Sequence, residues 1–166
     1  NLDIREESTK HSNAIHEIIN LLTNKDYLSL DENNRMIILE SIIRSDFKID
    51  SIYKKLSKET KTVVDVFLTM VKLRKEISEE AFGHYIISMT HEASHILEVL
   101  AIAKLTGMVA KNVKKGWVSS VKISPLFETI DDLSRISPIL EKLLDNDLYK
   151  EILKNIKNRQ EIMLGY

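Results

Sequence analysis

Apolar residues recur every three or four positions over much of the chain, which predicts amphipathic helices. The first helix has Ser8 or Thr9 as its N-cap, the second begins at Asp31, and the third begins at Lys58. The second and third helices predict that the region from 25 to 80 is all helical.

Four shorter apolar runs lie between the helices and have the length and texture of buried strands. They cover 2–5, 84–89, 121–127 and 161–166. Pro125 lies within the third run and predicts that this strand is an edge, a strand end or a bulge. The alternation of strand and helix predicts a parallel sheet, and four such strands without a closing partner predict part of a barrel.

The second half of the chain contains two more helical stretches. Ser94 is predicted to cap the helix after the second strand, and Gly107 to end it. The segment 117–120 is predicted to be a loop. A single helical stretch through 139–156 is predicted to lead to the last strand.

Composition fits a folded protein and narrows its class. The chain is 43% hydrophobic and 30% charged, which is typical of globular domains. A net charge of −1 offers no basic excess for nucleic acid or an anionic membrane surface. No apolar run approaches the roughly 18 residues of a membrane span, and the lack of cysteine excludes disulfides and thiolate chemistry. We therefore expect a soluble, cytoplasmic protein without nucleic-acid or membrane partners.

The two ends of the chain predict a piece of a longer polypeptide. The 166 residues would ordinarily make one domain. The chain starts at Asn1 without a signal-peptide pattern, and it ends on the apolar run 161–166. Chain ends are usually polar and frayed. We expect 1–166 to be completed by the remainder of the same polypeptide.

His91, Glu92, Ala93, Ser94 and His95 match the pattern H-E-x-x-H. In that pattern, two histidines on one helix face bind zinc and the glutamate acts as general base. This predicts a zinc metallopeptidase as an alternative function. Against it, a helix capped by Ser94 would leave His91 in the preceding loop, away from the face that carries His95.

Charged side chains at predicted strand ends are the other candidates, because parallel barrels carry their reactive groups there. Glu128 directly follows the third strand, and its carboxylate suits a hard cation. Asp131 and Asp132 either share that role or simply favour the N-terminus of the next helix. Arg5 ends the first strand, where it can bind a phosphate or carboxylate, or pair with one of the two glutamates that follow it.

The remaining polar residues form no comparable constellation. His11, His16 and His84 have no partner spacing and are predicted to be solvated or core histidines. The lysine-rich run 111–115 is predicted to be a solvated loop. The chain contains no glycine-rich phosphate loop.

Segments along the whole chain resemble the phosphoenolpyruvate carboxylase family, in the family's order. Residues 2–11 resemble its L-D-I-R-Q-E-S-x-x-H segment, and 85–89 resemble Y-x-I-S-M. Residues 124–133 match P-L-F-E-T-x-D-D-L nearly residue for residue, and 163–166 resemble the M-x-G-Y that precedes S-D-S-x-K-D. Residues 94–97 fall where the family has S-D-V-L.

The resemblance implies a fold, a reaction and two site residues. The fold is α/β and helix-rich: 1–166 would be part of a TIM-type βα barrel with additional helices, including an insertion at about 25–80. The full enzyme would convert phosphoenolpyruvate and bicarbonate to oxaloacetate and phosphate with Mg²⁺ or Mn²⁺, as a homotetramer. Arg5 would bind the substrate phosphate and Glu128 would be one of two carboxylate metal ligands. It assigns no catalytic residue within 1–166.

Two positions depart from the family pattern. Glu6 replaces a glutamine and is expected to weaken phosphate binding beside Arg5, and His95 replaces an aspartate. By the resemblance, the second metal-binding aspartate follows Tyr166, and the catalytic histidine and glycine-rich loop lie elsewhere in the longer chain. We therefore expect 1–166 to be inactive alone. The two departures leave a non-catalytic module on the same scaffold as a third possibility.

Overall fold

A computed structural model describes residues 2–165 and shows a mixed α/β fold. The strands are β1 (Leu2–Glu7), β2 (Phe82–Ser88), β3 (Val109–Asn112), β4 (Gly116–Ser119), β5 (Lys122–Phe127) and β6 (Met163–Leu164). The helices are α1 (Ser8–Thr23), α2 (Glu32–Arg44), α3 (Lys58–Glu76), α4 (Ala93–Thr106), α5 (Ile130–Leu144) and α6 (Asp147–Lys154). Short 3₁₀ turns cover Tyr27–Ser29, Ile49–Ser51 and Tyr53–Lys55, so the predicted helical character of 25–80 is confirmed.

Four strands form one parallel sheet in the order β1-β2-β5-β6, which confirms the predicted parallel topology. Arg5 of β1 is in register with Ile86 of β2, which in turn is in register with Ser124 of β5. Because the strands are parallel, their carboxyl ends lie along one edge of the sheet. The candidate residues Arg5 and Glu128 therefore lie near the same edge of the sheet.

The main core lies between one face of the sheet and the helices. Tyr85 and Ile87 of β2, together with Ile123 and Phe127 of β5, belong to this core with residues of α1 to α6. Side chains alternate along a strand, so Arg5 lies on the opposite face from this core. Helix α4 is buried almost all round, which explains its nearly continuous apolar sequence. None of the helices described between residues 2 and 165 combines the length and the apolar character needed to cross a membrane.

The predicted loop at 117–120 is wrong, because this segment is mostly β4, which pairs with β3 in an antiparallel hairpin. Gly116 occupies the left-handed region at a φ of 73°, and there the chain enters β4. The lysine-rich run 111–115 is exposed as predicted, although its first two residues belong to β3. The hairpin was missed because its strands are only four residues each.

The predicted helix through 139–156 is also wrong, since α5 ends at Leu144 and α6 begins at Asp147. The side chain of Asn146 accepts a hydrogen bond from the N–H of Tyr149 and caps α6. A polar segment of Asp, Asn and Asp therefore separates two apolar helix faces that share the same period.

Pro125 does not mark an edge strand, because β5 lies between β2 and β6. Pro125 is the last residue of β5 in register with β2, and the pairing with β6 starts at Leu126. The proline thus lies where the strand changes partner, and the missing N–H is tolerated there.

Helix ends follow the predictions in part. Asp31 caps α2, and Gly107 follows the last residue of α4 as its C-cap with a φ of 97°, both as predicted. The N-cap of α1 is Glu7 rather than Ser8 or Thr9. The N-cap of α4 is Glu92 rather than Ser94.

Ser94 instead donates its N–H and hydroxyl to the Glu32 carboxylate, at 2.9 and 2.6 Å. Burial raises the pKa of Glu32, although these two hydrogen bonds oppose the rise. The N-terminus of α4 is thus stabilised by a carboxylate from α2.

Candidate functional site

Arg5 and Glu128, the two residues predicted at strand ends, contact each other in the structure. The predicted end of the first strand at Arg5 is wrong, because β1 continues to Glu7, whereas Glu128 directly follows β5 as predicted. Their residue numbers differ by 123, yet Nη2 of Arg5 lies 2.5 Å from Oε1 of Glu128. The two side chains are 58% and 42% exposed. The carboxyl edge of the sheet therefore presents one cation and one anion side by side and open to ligands.

The alternative that Arg5 pairs with a neighbouring glutamate is wrong. Glu6 instead binds Lys10 of α1, with Oε1 2.9 Å from Nζ. Burial on its own raises the pKa of Glu6, but the bonds from Lys10 and from the N–H of Glu7 outweigh it and lower the pKa. The negative charge of Glu6 is therefore compensated by Lys10, on the side of β1 away from Arg5.

A short turn between β5 and α5 positions Glu128. The Thr129 hydroxyl accepts the N–H of Asp132, and the Asp132 carboxylate accepts the N–H of Thr129 in return, which forms a capping box. The same carboxylate accepts the N–H of Glu128 at 3.2 Å. The hydrogen bond from the N–H of Thr129 is the main cause that holds the pKa of Asp132 below its usual range. Burial opposes this effect, and the hydrogen bond from the N–H of Glu128 adds to it.

The helix-terminus interpretation of Asp132 is thereby confirmed. Asp131 is exposed, whereas Asp132 is only 4% exposed and its carboxylate is bonded to the backbone. Asp132 is therefore a support for the turn that carries Glu128.

Gly165 approaches Glu128 from the other side. Its N–H donates to the carbonyl of Phe127 at 2.9 Å, next to the β5–β6 pairing. A Cβ atom at this position would lie 2.9 Å from Cγ of Glu128. Only glycine allows this approach, and the sequence pattern alone gave no indication of it.

The H-E-x-x-H residues do not form a zinc site. His91 lies in the loop before α4, as predicted, and its N–H donates to Nδ1 of His95 at 3.2 Å. Nε2 of His91 lies 3.3 Å from Oδ1 of Asp132 instead. Within residues 2–165, no group of three or more histidine, aspartate and glutamate side chains is arranged to bind a metal. Because His91 lies outside α4, the two histidines do not share one helix face as the H-E-x-x-H pattern requires, and the described residues do not support the zinc peptidase hypothesis.

A single carboxylate at a strand end is consistent with Mg²⁺ or Mn²⁺. Mg²⁺ typically takes one or two protein carboxylates and keeps several waters or substrate oxygens. Glu128 has the required oxygen donor and is accessible. The described residues thus fit one ligand of such a site.

Two polar side chains, His11 and Glu98, are buried in the core, and the sequence gave no indication of their partners. His11 is fully buried and its Nε2 lies 2.7 Å from the Tyr85 hydroxyl. Burial lowers the pKa of His11 to about 4, so the ring is neutral. The carboxylate of Glu98 is also fully buried and accepts hydrogen bonds from Ser12 and Tyr27. His16 and His84, which also lack partner spacing in the sequence, lie nearer the surface. His16 accepts the N–H of Leu28, and His84 pairs with Glu161.

Comparison with known proteins agrees with the motif order. The family model for phosphoenolpyruvate carboxylase matches residues 1–166. A phosphoenolpyruvate carboxylase from Prochlorococcus marinus subsp. pastoris is 36% identical over 170 residues, covering 99% of this chain. One from Synechococcus sp. is 34% identical over 170 residues, again covering 99% of this chain. The chain spans 17% of the length of these relatives. It belongs, by the match along its whole length, to the phosphoenolpyruvate carboxylase family.

Proposed function

We propose that the full-length protein is a phosphoenolpyruvate carboxylase, which forms oxaloacetate and phosphate from phosphoenolpyruvate and bicarbonate. The observation that carries this proposal is the meeting of Arg5 and Glu128 at the carboxyl edge of a parallel sheet. These are the residues to which the family resemblance assigns the substrate phosphate and the metal.

In this proposal, Arg5 binds and orients the phosphate. Its planar guanidinium donates several hydrogen bonds and suits phosphate oxygens. Glu128 would hold Mg²⁺ or Mn²⁺, and the bound ion would supply positive charge to offset the charge that develops on the substrate oxygen. Both side chains are about half exposed, so ligands can separate the ion pair by side-chain rotation alone. Exposed ion pairs contribute only about 0–1 kcal/mol, and this separation is correspondingly cheap.

The wider setting is also part of the proposal. The four parallel strands would belong to a TIM-type barrel completed by the remainder of the polypeptide, with Arg5 on the face toward the barrel interior. We further propose a cytoplasmic homotetramer without nucleic-acid or membrane partners, a description that the family resemblance and the near-neutral charge support.

Oxaloacetate formation by the full-length protein, with and without Mg²⁺, tests the proposal. Glu128→Gln should raise the metal concentration needed for activity or abolish turnover, and Arg5→Lys should mainly raise the KM for phosphoenolpyruvate. Asp131→Asn is the matched control for the carboxylate because Asp131 is exposed nearby, in the first turn of α5. Arg44→Lys is the control for the arginine, since Arg44 pairs with Glu40 within α2 and takes no part in the strand-end site. Activity that survives both site substitutions unchanged would remove this site from the reaction.

A second measurement separates an enzyme from a non-catalytic relative. Phosphoenolpyruvate binding by the full-length protein without turnover would favour the non-catalytic module. Compensation of Glu6 by Lys10 argues against that outcome, because the charge of Glu6 was the reason to expect weak phosphate binding. Residues 1–166 alone should bind the substrate weakly and form no oxaloacetate, and turnover by this segment would contradict the expectation.

A further inference from the structure

We propose that Asp132 is a positioning residue, which holds Glu128 in the orientation needed to bind a metal ion. This inference rests on the proposed role of Glu128 as a metal ligand. It assigns to Asp132 a function beyond capping α5.

The contact with Glu128 is separate from the capping box. A capping box needs only the reciprocal bonds between Thr129 and Asp132. Oδ2 of Asp132 accepts the N–H of Thr129 at 3.0 Å for this purpose, and it also accepts the N–H of Glu128 at 3.2 Å. The second bond fixes the peptide plane from which the Glu128 side chain projects.

The Asp132 carboxylate is itself held in place from other parts of the fold. Its Oδ1 lies 3.3 Å from Nε2 of His91, in the loop after β2, and 3.4 Å from Nη1 of Arg135 in α5. Its side chain is only 6% exposed. Both carboxylate oxygens therefore have partners, and the group connects the loop after β2 to the turn after β5.

Glu128 is restrained from two directions. Asp132 holds its main chain, while Gly165 lies so close that a Cβ atom there would reach Cγ of Glu128 at 2.9 Å. Only Glu128 and Thr129 separate β5 from α5, so the turn has no slack to absorb a change at Asp132. Groups that orient a metal ligand typically affect metal affinity about 10- to 100-fold when they are removed.

The experiment uses the full-length protein with Mn²⁺ alone as the probe, and measures its Kd by electron paramagnetic resonance. Hydrogen exchange of the peptide that contains residues 127–129 is measured on the same samples without metal. Asp132→Ala should raise the Kd about 10- to 100-fold and accelerate this exchange. Asp132→Asn keeps one acceptor oxygen, so we expect a smaller change in both readouts.

Two variants separate positioning from capping. Thr129→Ala removes the hydroxyl that caps α5 but leaves the bond from the Glu128 N–H to Asp132, so the Kd should stay within about twofold of wild type, well below the about 10-fold expected for a lost positioning contact. Asp131→Asn should change neither readout, because Asp131 is exposed. Melting temperatures of all variants show how much each loses in stability.

The possible results each decide the question. Wild-type Kd and wild-type exchange in Asp132→Ala, or in Asp132→Asn if the alanine variant does not fold, would overturn the proposal. An equal loss of Mn²⁺ affinity in Thr129→Ala would overturn it as well, because capping would then be sufficient. If the wild-type protein binds no Mn²⁺, the metal role of Glu128 fails, while exchange at 127–129 still tells whether Asp132 holds that turn.

Discussion

Glu98 gives the strongest stability prediction, because it is a fully buried carboxylic acid. It lies in α4, and its two oxygens accept hydrogen bonds from Ser12 of α1 and from the Tyr27 hydroxyl. Burial raises the pKa of Glu98 to about 7; the hydrogen bonds from Ser12 and Tyr27 and the charge of Arg35 oppose the rise, and Glu32 adds to it. Glu98 therefore carries a proton in the folded chain over a range in which the unfolded chain has lost it.

The direction and size of the pH effect follow from this difference. Because the folded pKa of about 7 lies above the ordinary value of 4.5, the folded state binds the extra proton between these pH values. The free energy of unfolding therefore falls as pH rises through this interval and stays low above it. At about 1.4 kcal/mol per pH unit, the loss is about 3 kcal/mol.

Urea unfolding of the wild-type chain and of Glu98→Gln, between about pH 5 and about pH 8, measures the effect. The difference in unfolding free energy between the two proteins should change by about 3 kcal/mol over this range in favour of the variant at high pH. Contributions from histidines are common to both proteins and cancel. Glu59→Gln, at an exposed position of α3, is the control. If the difference for Glu98→Gln stays constant within about 0.5 kcal/mol, the reasoning is refuted.

Three further outcomes are expected. Burial, followed by the charges of His91 and Arg35, lowers the pKa of His95 to about 4, so stability falls as pH drops below the ordinary 6.5. His95→Gln should remove about 2 kcal/mol of that loss between pH 6.5 and about pH 5, measured by urea unfolding. Glu32→Ala should cost about 1 kcal/mol in the same assay, because α4 loses the carboxylate that accepts from Ser94; an unchanged midpoint would contradict this. Gly165→Ala should displace Glu128 and weaken Mn²⁺ binding by the full-length protein about 10-fold, and wild-type affinity would show that the close approach is unimportant.

Several features were accessible from sequence because they depend on residues close together in the chain. The period of the apolar positions located α1 to α4, and Asp31 and Gly107 marked two of their ends. Alternating strands and helices predicted the parallel sheet. Errors arose where local patterns were ambiguous, as in the hairpin of β3 and β4 and in the separation of α5 from α6.

The sequence predicted which residues belong to the candidate site but not which of them contact each other. Arg5 and Glu128 were both selected because they follow the pattern of a strand end, and neither pattern indicates that the two side chains pair. The sequence left open an ion pair between Arg5 and a following glutamate, and this pair does not form with Glu6, because Arg5 and Glu6 lie on opposite faces of β1 and Glu6 pairs with Lys10.

By itself, the sequence determined helices α1 to α4, the four parallel strands, the two candidate site residues and the family, because these are readable from the period of apolar positions and from short motifs. Only the tertiary structure decided that Asp132 supports Glu128, that Gly165 must lack a side chain, and that Glu98 is fully buried. Such facts depend on which groups from distant segments share a small volume. The packing of the whole fold decides which groups meet, and no single segment of the sequence contains that information.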